Sequence, residues 1–300
     1  IHGGKKENLN NMKRKALDKL IKLLDLEQLE DNLFRGQSEN IGGPRVFGGQ
    51  VLGQALTAAA RTVDKKRSVH SLHAYFLRPG DMKHPIVYDV DKIRDGGSFT
   101  TRRVVAIQKG EPIFNMSSSF HKKESGPIHQ IDMPDIPGPE ECISELEQRK
   151  KIIDKVDERF RDYFTRERPI EMRNLPGEGM FEEPKKQPPY KHVWMKAVAK
   201  LPDDEICHQA ILAYASDMGL LSTSLNPHRL SFAKGNVQSA SLDHGMWFHR
   251  PFRADEWMLY STDSPSASNA RGFNRGSVYT RDGKLIASAV QEGLMRVVKG

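Results

Sequence analysis

Two stretches of this 300-residue sequence repeat the same residues in the same order, and this repetition limits the possible folds more than any other feature. Phe76, Arg78 and Pro79 recur as Phe248, Arg250 and Pro251 at an offset of 172. A second group recurs at an offset of 173, pairing Arg102, Val105, Gly110 and Ile113 with Arg275, Val278, Gly283 and Ile286. A near-constant offset over about 45 residues predicts an internal duplication, with one residue inserted between the two groups.

Both halves show the same order of predicted elements, an apolar helix followed by alternating strands. In the first half, a helix from Phe47 through Ala60 precedes strands near 69–78, 85–94, 99–108 and 112–120. In the second half, a strand at 192–200 and a helix from about Asp204 to Leu221 precede strands near 236–250, 256–263, 270–280 and 284–295. Glycine-containing turns at 94–97, 108–110 and 281–284 are typical of antiparallel hairpins. A helix packed on one face of an antiparallel sheet predicts an α+β architecture for each half.

The same elements predict the domain boundaries. Residues 121–190 hold more than half of the 17 prolines around one charged helical stretch near 140–164, which indicates a connector. We therefore expect an N-terminal module at 23–120, a C-terminal module at 191–300 and an N-terminal extension at 1–22. A predicted amphipathic helix at 12–33 crosses the first boundary, and its acidic residues disfavour a targeting peptide. Its apolar residues recur at helical spacing: Leu17, Leu20, Ile21, Leu24 and Leu29.

The composition argues against several classes of protein. The net charge of +7 is spread along the chain among 39 acidic residues, so we expect no nucleic-acid partner. No apolar run approaches the roughly 18 residues of a membrane span, and a soluble chain is expected. The only two cysteines, Cys142 and Cys207, give no disulfide framework, which favours a reducing, intracellular compartment.

Common catalytic motifs are missing from the sequence. It has no G-x-S-x-G elbow, no phosphate-binding loop and no H-E-x-x-H zinc motif, which favours metal-free, local chemistry. We interpret Cys207 and His208 as a buried thiol beside a polar residue at a helix start, because adjacent side chains point in different directions. Four other histidines suit a dehydratase, but no dehydratase-like motif surrounds them, and we interpret them as half-buried strand residues. These are His70, His73, His244 and His249.

Longer motifs in both halves resemble those of the type II, TesB-like acyl-CoA thioesterase family. In the first half they are residues 33–38 (LFRGQS), 46–55 (VFGGQVLGQA), 70–80 (HSLHAYFLRPG) and 94–99 (RDGGSF). In the second half they are residues 242–252 (LDHGMWFHRPF) and 289–293 (AVQEG). The resemblance covers about residues 23–298. It implies a double hot-dog fold, an acyl-CoA substrate, and hydrolysis to fatty acid and CoA without metal or cofactor.

The resemblance also implies a catalytic trio. The family has an aspartate on the second hot-dog helix, a hydroxyl residue just before a D-H-x-M-W motif and a glutamine in the final strand. Carried over by motif, these residues are Asp217, Ser241 and Gln291. We expect Asp217 to take a proton from a water that the other two residues hold, with direct attack by water preferred over an acyl-serine. The first module has lost the trio, since the residues matched to Asp217, Ser241 and Gln291 are Ala58, Val69 and Ser118.

The first module is expected to shape the site. Gly48 and Gly49 open its helix, where backbone N–H groups can approach a thioester oxygen; a tight turn alone is the other interpretation. The phosphates of CoA need basic side chains, but Arg78 and Arg250 repeat at equivalent positions, so a structural role stays open for those two. The candidates are Arg45, Arg78, Arg250 and Arg271.

Two other functions remain open for a hot-dog fold: an enoyl- or hydroxyacyl-CoA hydratase or dehydratase, and a non-catalytic acyl-CoA-binding protein. Ser241 replaces the threonine of bacterial members and, with residues 252–255 (FRAD), resembles the eukaryotic peroxisomal branch. That likeness implies the peroxisome matrix, with the cytoplasm as the alternative. Because the chain starts at Ile1 and ends at Gly300 without the branch's targeting tripeptide, we expect trimmed ends. A homo-oligomer, either a dimer or a tetramer, is also expected.

Overall fold

The computed structural model describes residues 2–41, 45–155, 158–176, 186–231 and 235–298. The helices of these ranges are α1 (His2–Leu24), α2 (Gly48–Ala60), α3 (Glu145–Lys151), α4 (Glu158–Thr165) and α5 (Glu205–Ser216). Short 3-10 segments lie at Ile153–Lys155 and Leu221–His228. The strands are β1 (Glu27–Glu30), β2 (Leu33–Gly36), β3 (Arg67–Phe76), β4 (Ile86–Asp95), β5 (Phe99–Gln108), β6 (Glu111–Lys122), β7 (Ile143–Ser144), β8 (Ile170–Asn174), β9 (Tyr190–Ala197), β10 (Val237–Ser241), β11 (Asp243–Phe248), β12 (Met258–Ser268), β13 (Arg271–Thr280) and β14 (Leu285–Val297).

The strands of the described ranges form one continuous sheet that runs through both modules. Its order is β1-β2-β4-β5-β6-β3-β11-β14-β13-β12-β9-β8-β7, and β10 also pairs with β14. The modules join where β3 pairs antiparallel with β11, and His73 is the residue opposite Gly245 at that seam. These two residues are also 172 positions apart, so the pseudo-two-fold axis of the duplication passes through this pair.

Helices α2 and α5 lie side by side against the inner face of the sheet. They run antiparallel, because Gly49 faces the Tyr214 carbonyl while Gly53, one turn later, faces that of Ala210. Alternate residues of β5 and β13 are buried, as expected for strands with one face on a core. The largest cluster of buried apolar side chains in the described residues contains members of both modules. The predicted α+β hot-dog architecture is confirmed.

Matching contacts in the two modules show the duplication directly. Nη1 of Arg78 donates to the Pro112 carbonyl oxygen at 2.7 Å, and Nη1 of Arg250 donates to that of Leu285 at 2.7 Å. The position of the inserted residue differs from the prediction. Arg103, not Arg102, corresponds to Arg275, and by the same register Ala106, not Val105, corresponds to Val278.

The counterpart of Arg275 is identified by its ion pair. Arg103 pairs with Asp91 across β4 and β5, and Arg275 pairs with Asp263 across β12 and β13. An offset of 172 therefore continues through β5, and the extra residue lies in the hairpin before β14. The predicted alignment was wrong by one residue, which in a strand exchanges the buried face for the exposed face.

Several predicted boundaries also change. The N-terminal helix ends at Leu24 and not near residue 33, because Asp31 and Asn32 form the turn between β1 and β2. Helix α5 ends at Ser216 and not at Leu221, since Gly219 follows with a φ of +80°. The strand predicted at 236–250 is two strands, β10 and β11.

The connector differs from its prediction in structure. Its charged stretch forms α3 and α4 with a 3-10 turn between them, where one helix was predicted. Strand β8 pairs with β9 of the second module, so the sheet continues into the connector. None of the helices in the described ranges has the length and apolar character needed to cross a bilayer.

Candidate active site

The site forms where α5 ends beside the start of α2. Asp217 directly follows α5, and a Cβ atom built on Gly48 would lie 2.7 Å from its Oδ2 atom. A side chain at residue 48 would therefore displace the carboxylate, which is why glycine suits this position. The backbone N–H of Gly49 donates a hydrogen bond to the Asp217 carboxylate. The first module therefore supplies a helix N-terminus to a carboxylate of the second.

Two polar side chains of the sheet converge on the same carboxylate. Nε2 of Gln291, on β14, donates to Oδ1 of Asp217 at 2.6 Å, and Oγ of Ser241, at the end of β10, donates to that oxygen at 3.3 Å. Ser241 lies opposite Gly293 in the β10–β14 pair. The structure thus brings together the three residues of the predicted trio from a helix end and two neighbouring strands.

The surroundings of Asp217 change its acidity. Burial raises the pKa of Asp217 to about 6, although the hydrogen bonds from Gln291, Ser241 and Gly49 act in the opposite direction. A carboxylate with this pKa is ionised at neutral pH and is a stronger base than an ordinary aspartate. It suits the removal of a proton from water.

His244 is a member of the site that the sequence interpretation missed. It was interpreted as half-buried, but only 1% of it is exposed. Its Nδ1 atom lies 3.3 Å from Nε2 of Gln291, and its Nε2 atom lies 2.9 Å from Oγ of Ser216. Burial lowers its pKa to about 4, so the ring is neutral at neutral pH. The duplication contained a signal, because the equivalent residue of the first module is Leu72.

Of the other three histidines, only His70 is half-buried in a strand as predicted: His73 is exposed on β3, and His249 is exposed just after β11. Nε2 of His70 bonds with Oγ of Ser119 at 2.8 Å, and Nε2 of His249 bonds with Oγ of Ser288 at 2.9 Å. The ring of His73 packs edge-on against Trp247.

The Cys207 thiol lies in a setting that does not activate it. Burial raises the pKa of Cys207 to about 11. Nδ1 of the neighbouring His208 accepts the backbone N–H of Ala254 at 3.0 Å, so it is not oriented by a catalytic partner.

Three of the four predicted CoA-binding arginines have protein partners. Arg78 and Arg250 donate to the backbone carbonyl oxygens described above, and Arg78 also pairs with Glu111. Arg271 donates through Nε to Glu292 at 2.9 Å. Arg45 is exposed just before α2. The structure leaves the predicted role in CoA binding untested.

A mostly apolar cavity of about 300 Å³ lies between α1 and the segment 166–169, and it reaches the end of α5. Tyr214 and Met218, which flank Asp217 in the chain, form one wall, and Met12, Ala16, Leu20 and Leu23 of α1 form another. Four basic and two acidic side chains also line it: Lys15, Lys19, Arg166, Arg168, Glu39 and Glu167.

Comparisons with known proteins agree with this geometry. A family model described as "Acyl-CoA thioesterase" matches residues 158–294, and one described as "Acyl-CoA thioesterase N-terminal domain" matches residues 35–121. Acyl-CoA thioesterase 2 of Haemophilus influenzae is 40% identical over 93% of this chain and 98% of its own length. The chain belongs to the acyl-CoA thioesterase family. Acyl-coenzyme A thioesterase 8 of Homo sapiens is 39% identical to this thioesterase over 92% of the chain and 88% of its own length.

Solved structures extend the similarity to the whole fold. The acyl-CoA thioesterase II TesB2 of Mycobacterium marinum shares 41% identity with this thioesterase, with a TM-score of 0.76 over 94% of this chain and 99% of that one. The predicted type II, TesB-like family is confirmed, and so is thioester hydrolase activity. The alternatives of a hydratase and a non-catalytic binding protein are not the families that match.

Proposed function

We propose that this thioesterase hydrolyses fatty acyl-CoA by direct attack of a water molecule, with Asp217 as the general base and Ser241 and Gln291 as the groups that hold the water. The observation that carries the proposal is the convergence of both polar side chains on one carboxylate whose pKa is raised to about 6. Thioester hydrolysis needs an oriented water and an acceptor for its proton. The trio offers side chains suited to both tasks.

A hydrogen-bond acceptor of the trio that has no partner in the described part of the chain supports this assignment. Nε2 of Gln291 is directed at Asp217 and His244, while its buried Oε1 atom has no partner among the described residues. A buried amide oxygen is stabilised when it accepts a hydrogen bond, and a water hydrogen suits it. Gln291 would then hold one hydrogen of the water while Asp217 removes the other. When water is bound, the Ser241 hydroxyl would turn from Asp217 and donate its one hydrogen to one lone pair of the water, which leaves the other lone pair free to attack the carbonyl carbon.

The first turn of α2 is proposed to stabilise the oxyanion. Gly49 already uses its N–H on the Asp217 carboxylate, so we assign the oxyanion contact to the N–H of Gly48, with Gly49 fixing the base. Both amides belong to a helix N-terminus, which favours negative charge on the carboxylate and on the thioester oxygen. The two glycines therefore have different roles in the proposal.

The acyl chain is proposed to occupy the cavity between α1 and the segment 166–169. Its lining is mostly apolar, and it reaches Tyr214 and Met218 on either side of Asp217. The basic side chains around it suit the phosphates of CoA, and among them Lys15 is exposed on α1. We propose this set beside the arginines predicted from the sequence, whose role in CoA binding stays a prediction.

The proposed function is tested by thiol release from a series of saturated acyl-CoA substrates of increasing length. We expect free CoA and free fatty acid from the wild type without added metal or cofactor. Free CoA from a saturated substrate excludes a hydratase as the main activity. If no chain length releases thiol, the proposed activity is wrong for this chain and the binding-protein alternative gains support.

Ala16→Trp tests the position of the acyl chain. An indole at residue 16 fills part of the cavity, so kcat/KM for the longest substrates should fall about 10-fold or more while short substrates change little. Asn11→Trp is the control, because it places the same ring on an exposed part of α1 that does not line the cavity. An equal loss at every chain length would contradict the assignment.

The pH profile follows from the pKa of the proposed base. Asp217 must be ionised to accept a proton, so kcat/KM should fall about tenfold per pH unit below pH 6 and be constant near neutrality. Burial lowers the pKa of His244 to about 4 and raises that of Tyr260 well above 10, so both neighbours stay neutral between pH 5 and 9. A fall that begins only near pH 4 would show that an ordinary, solvated carboxylate is the base.

Assembly and location stay proposals. We propose a homodimer or homotetramer, which sedimentation or light scattering can measure. We propose the peroxisome matrix for a eukaryotic source and the cytoplasm otherwise. A Saccharomyces cerevisiae relative named "Peroxisomal acyl-coenzyme A thioester hydrolase 1" supports the first location at 25% identity over 93% of this chain. Microscopy of the full-length natural protein beside a peroxisomal marker distinguishes the two locations.

A further inference from the structure

Gln291 can act only if its side-chain amide is held in one orientation. Its two ends differ chemically, since Nε2 carries two hydrogens and Oε1 only accepts. A 180° rotation would place Oε1 against the Asp217 carboxylate, which is 2.6 Å from the present nitrogen, and would remove the acceptor proposed for the water. The Asp217 carboxylate accepts only one of the two hydrogens on Nε2 of Gln291. The second hydrogen needs an acceptor of its own.

His244 supplies that acceptor. Its Nδ1 atom lies 3.3 Å from Nε2 of Gln291, and an amide nitrogen can only donate, so Nδ1 must be the unprotonated nitrogen of the ring. The ring proton is then on Nε2, where it meets Oγ of Ser216 at 2.9 Å. The Ser216 hydroxyl in turn donates to the Ala213 carbonyl oxygen at 2.9 Å. Every donor in this series has one acceptor, so a single tautomer satisfies all of its bonds.

The hydrogen bonds that run from Gln291 through His244 end at Ser216, in the helix that precedes Asp217. Ser216 is the last residue of α5, directly before Asp217, and it is fully buried. Its carbonyl oxygen also accepts the hydroxyl of Tyr260 at 3.0 Å. Hence one connected group of side chains fixes both the backbone beside the base and the amide that bonds to it.

Comparison of the two modules shows that His244 is not needed merely to fill space in the core. The position of His244 on β11 corresponds to that of Leu72 on β3 across the seam between the modules, and both residues are buried. An apolar side chain therefore fits the equivalent place in this sheet. A buried imidazole in place of leucine costs desolvation unless its polar atoms are bonded, which favours a specific use in the module that carries the trio.

We infer that His244, as a neutral acceptor held by Ser216, is the positioning residue that orients Gln291 toward Asp217 and toward the attacking water. The inference rests on the proposed function of the trio. His244 touches no reacting atom in this scheme and acts through Gln291.

His244→Leu tests the inference. We expect kcat to fall about 10- to 100-fold with KM nearly unchanged, since the amide loses its orientation and not its place. The acidic limb of the pH profile should also move to higher pH, because a weakened bond from Gln291 no longer lowers the pKa of Asp217. His244→Asn should recover part of both effects, as its side-chain oxygen lies about where Nδ1 was and can accept from Gln291.

The matched control is His249→Leu. It removes a histidine that also bonds with a serine hydroxyl at 2.9 Å, but on the exposed side of the sheet. Its kcat and acidic limb should equal those of the wild type. If His244→Leu keeps a wild-type kcat and pH profile, or if His244→Asn does no better than leucine at equal thermal stability, the inference is wrong. Loss of activity in an Asp217 variant alongside an active His244→Leu would overturn this inference alone and leave the proposed function standing.

Discussion

Asp217→Asn should lower kcat by about 10²- to 10⁴-fold while leaving the fold intact, which is the largest effect on activity that the site predicts. Asparagine has nearly the size of aspartate and can still accept the amide of Gln291 through its oxygen. It cannot take a proton from water at any pH used for an enzyme assay. Thiol release from a saturated acyl-CoA, measured near neutral pH, checks the result.

The same variant should not lose stability at neutral pH. Because the pKa of Asp217 in the folded chain is raised, its contribution to stability is present below the ordinary value of 3.8 and is lost as the pH rises through about 6. Asparagine does not titrate, so the stability of the variant does not fall with pH at this position. The melting temperature of the wild type should therefore fall relative to that of the variant between pH 4 and pH 7, as thermal unfolding at several pH values can measure.

A control and a second readout make the test decisive. Asp263→Asn breaks an ion pair with Arg275 that lies near the surface, and it should leave kcat unchanged and cost at most about 1 kcal/mol. Direct attack by water also predicts that Asp217→Asn accumulates no acyl group on Ser241, as mass spectrometry of quenched reactions can show. Wild-type turnover in Asp217→Asn, or an acyl-serine in either protein, would refute the proposed mechanism.

Much of the fold could be predicted because its signals are local. The hairpin turns at Gly110 and Gly283 need a positive φ, and φ is 79° at Gly110 and 85° at Gly283. Strand alternation and the apolar helices likewise depend on neighbouring residues alone. The alignment of the two modules was harder to predict. An insertion in a hairpin shifts the alignment by one residue but leaves the order of strands and turns unchanged. The strand pairing and the ion pairs of Arg103 and Arg275 decide it.

The site was predictable where a motif carries it and not where packing creates it. Asp217, Ser241 and Gln291 stand in long motifs, whereas the bond from Gly49 to Asp217 depends on how two distant helices cross. The role of His244 depends on which face of β11 is buried and on what lies 2.9 Å from its ring. No periodicity in the sequence gives such a distance. The difference between His244 and Leu72 was the available signal.

Gly49→Ala should cause the largest combined loss of stability and activity, because Gly49 lies where α2 crosses α5. A Cβ atom there would lie 2.3 Å from the carbonyl oxygen of Tyr214 and 2.5 Å from the ring of Phe47, whereas ordinary contact begins at 3.4 Å. The ring can turn, but the carbonyl belongs to a helix. Alanine favours a helix over glycine by about 0.5–1 kcal/mol. Forced separation of packed elements costs about 1–3 kcal/mol, so the net change in the free energy of unfolding should be a loss.

Activity should fall as well, because moving the helices apart lengthens the bond from the Gly49 N–H to the Asp217 carboxylate. That bond lowers the pKa of Asp217, so the acidic limb of the pH profile should move upward together with a fall in kcat of about 10-fold or more. Thiol-release kinetics over pH, combined with urea unfolding, measure both effects on the same protein.

Two further glycines separate packing from catalysis. Gly53→Ala places its Cβ 3.0 Å from the Ala210 carbonyl oxygen, in the same helix crossing but one turn from Asp217, so it should cost less stability and leave the acidic limb in place. Gly97→Ala meets no atom within 4 Å and should be nearly neutral. If Gly53→Ala shifts the acidic limb as far as Gly49→Ala, the shift reflects helix separation in general. The specific bond between Gly49 and Asp217 would then not be what tunes the base.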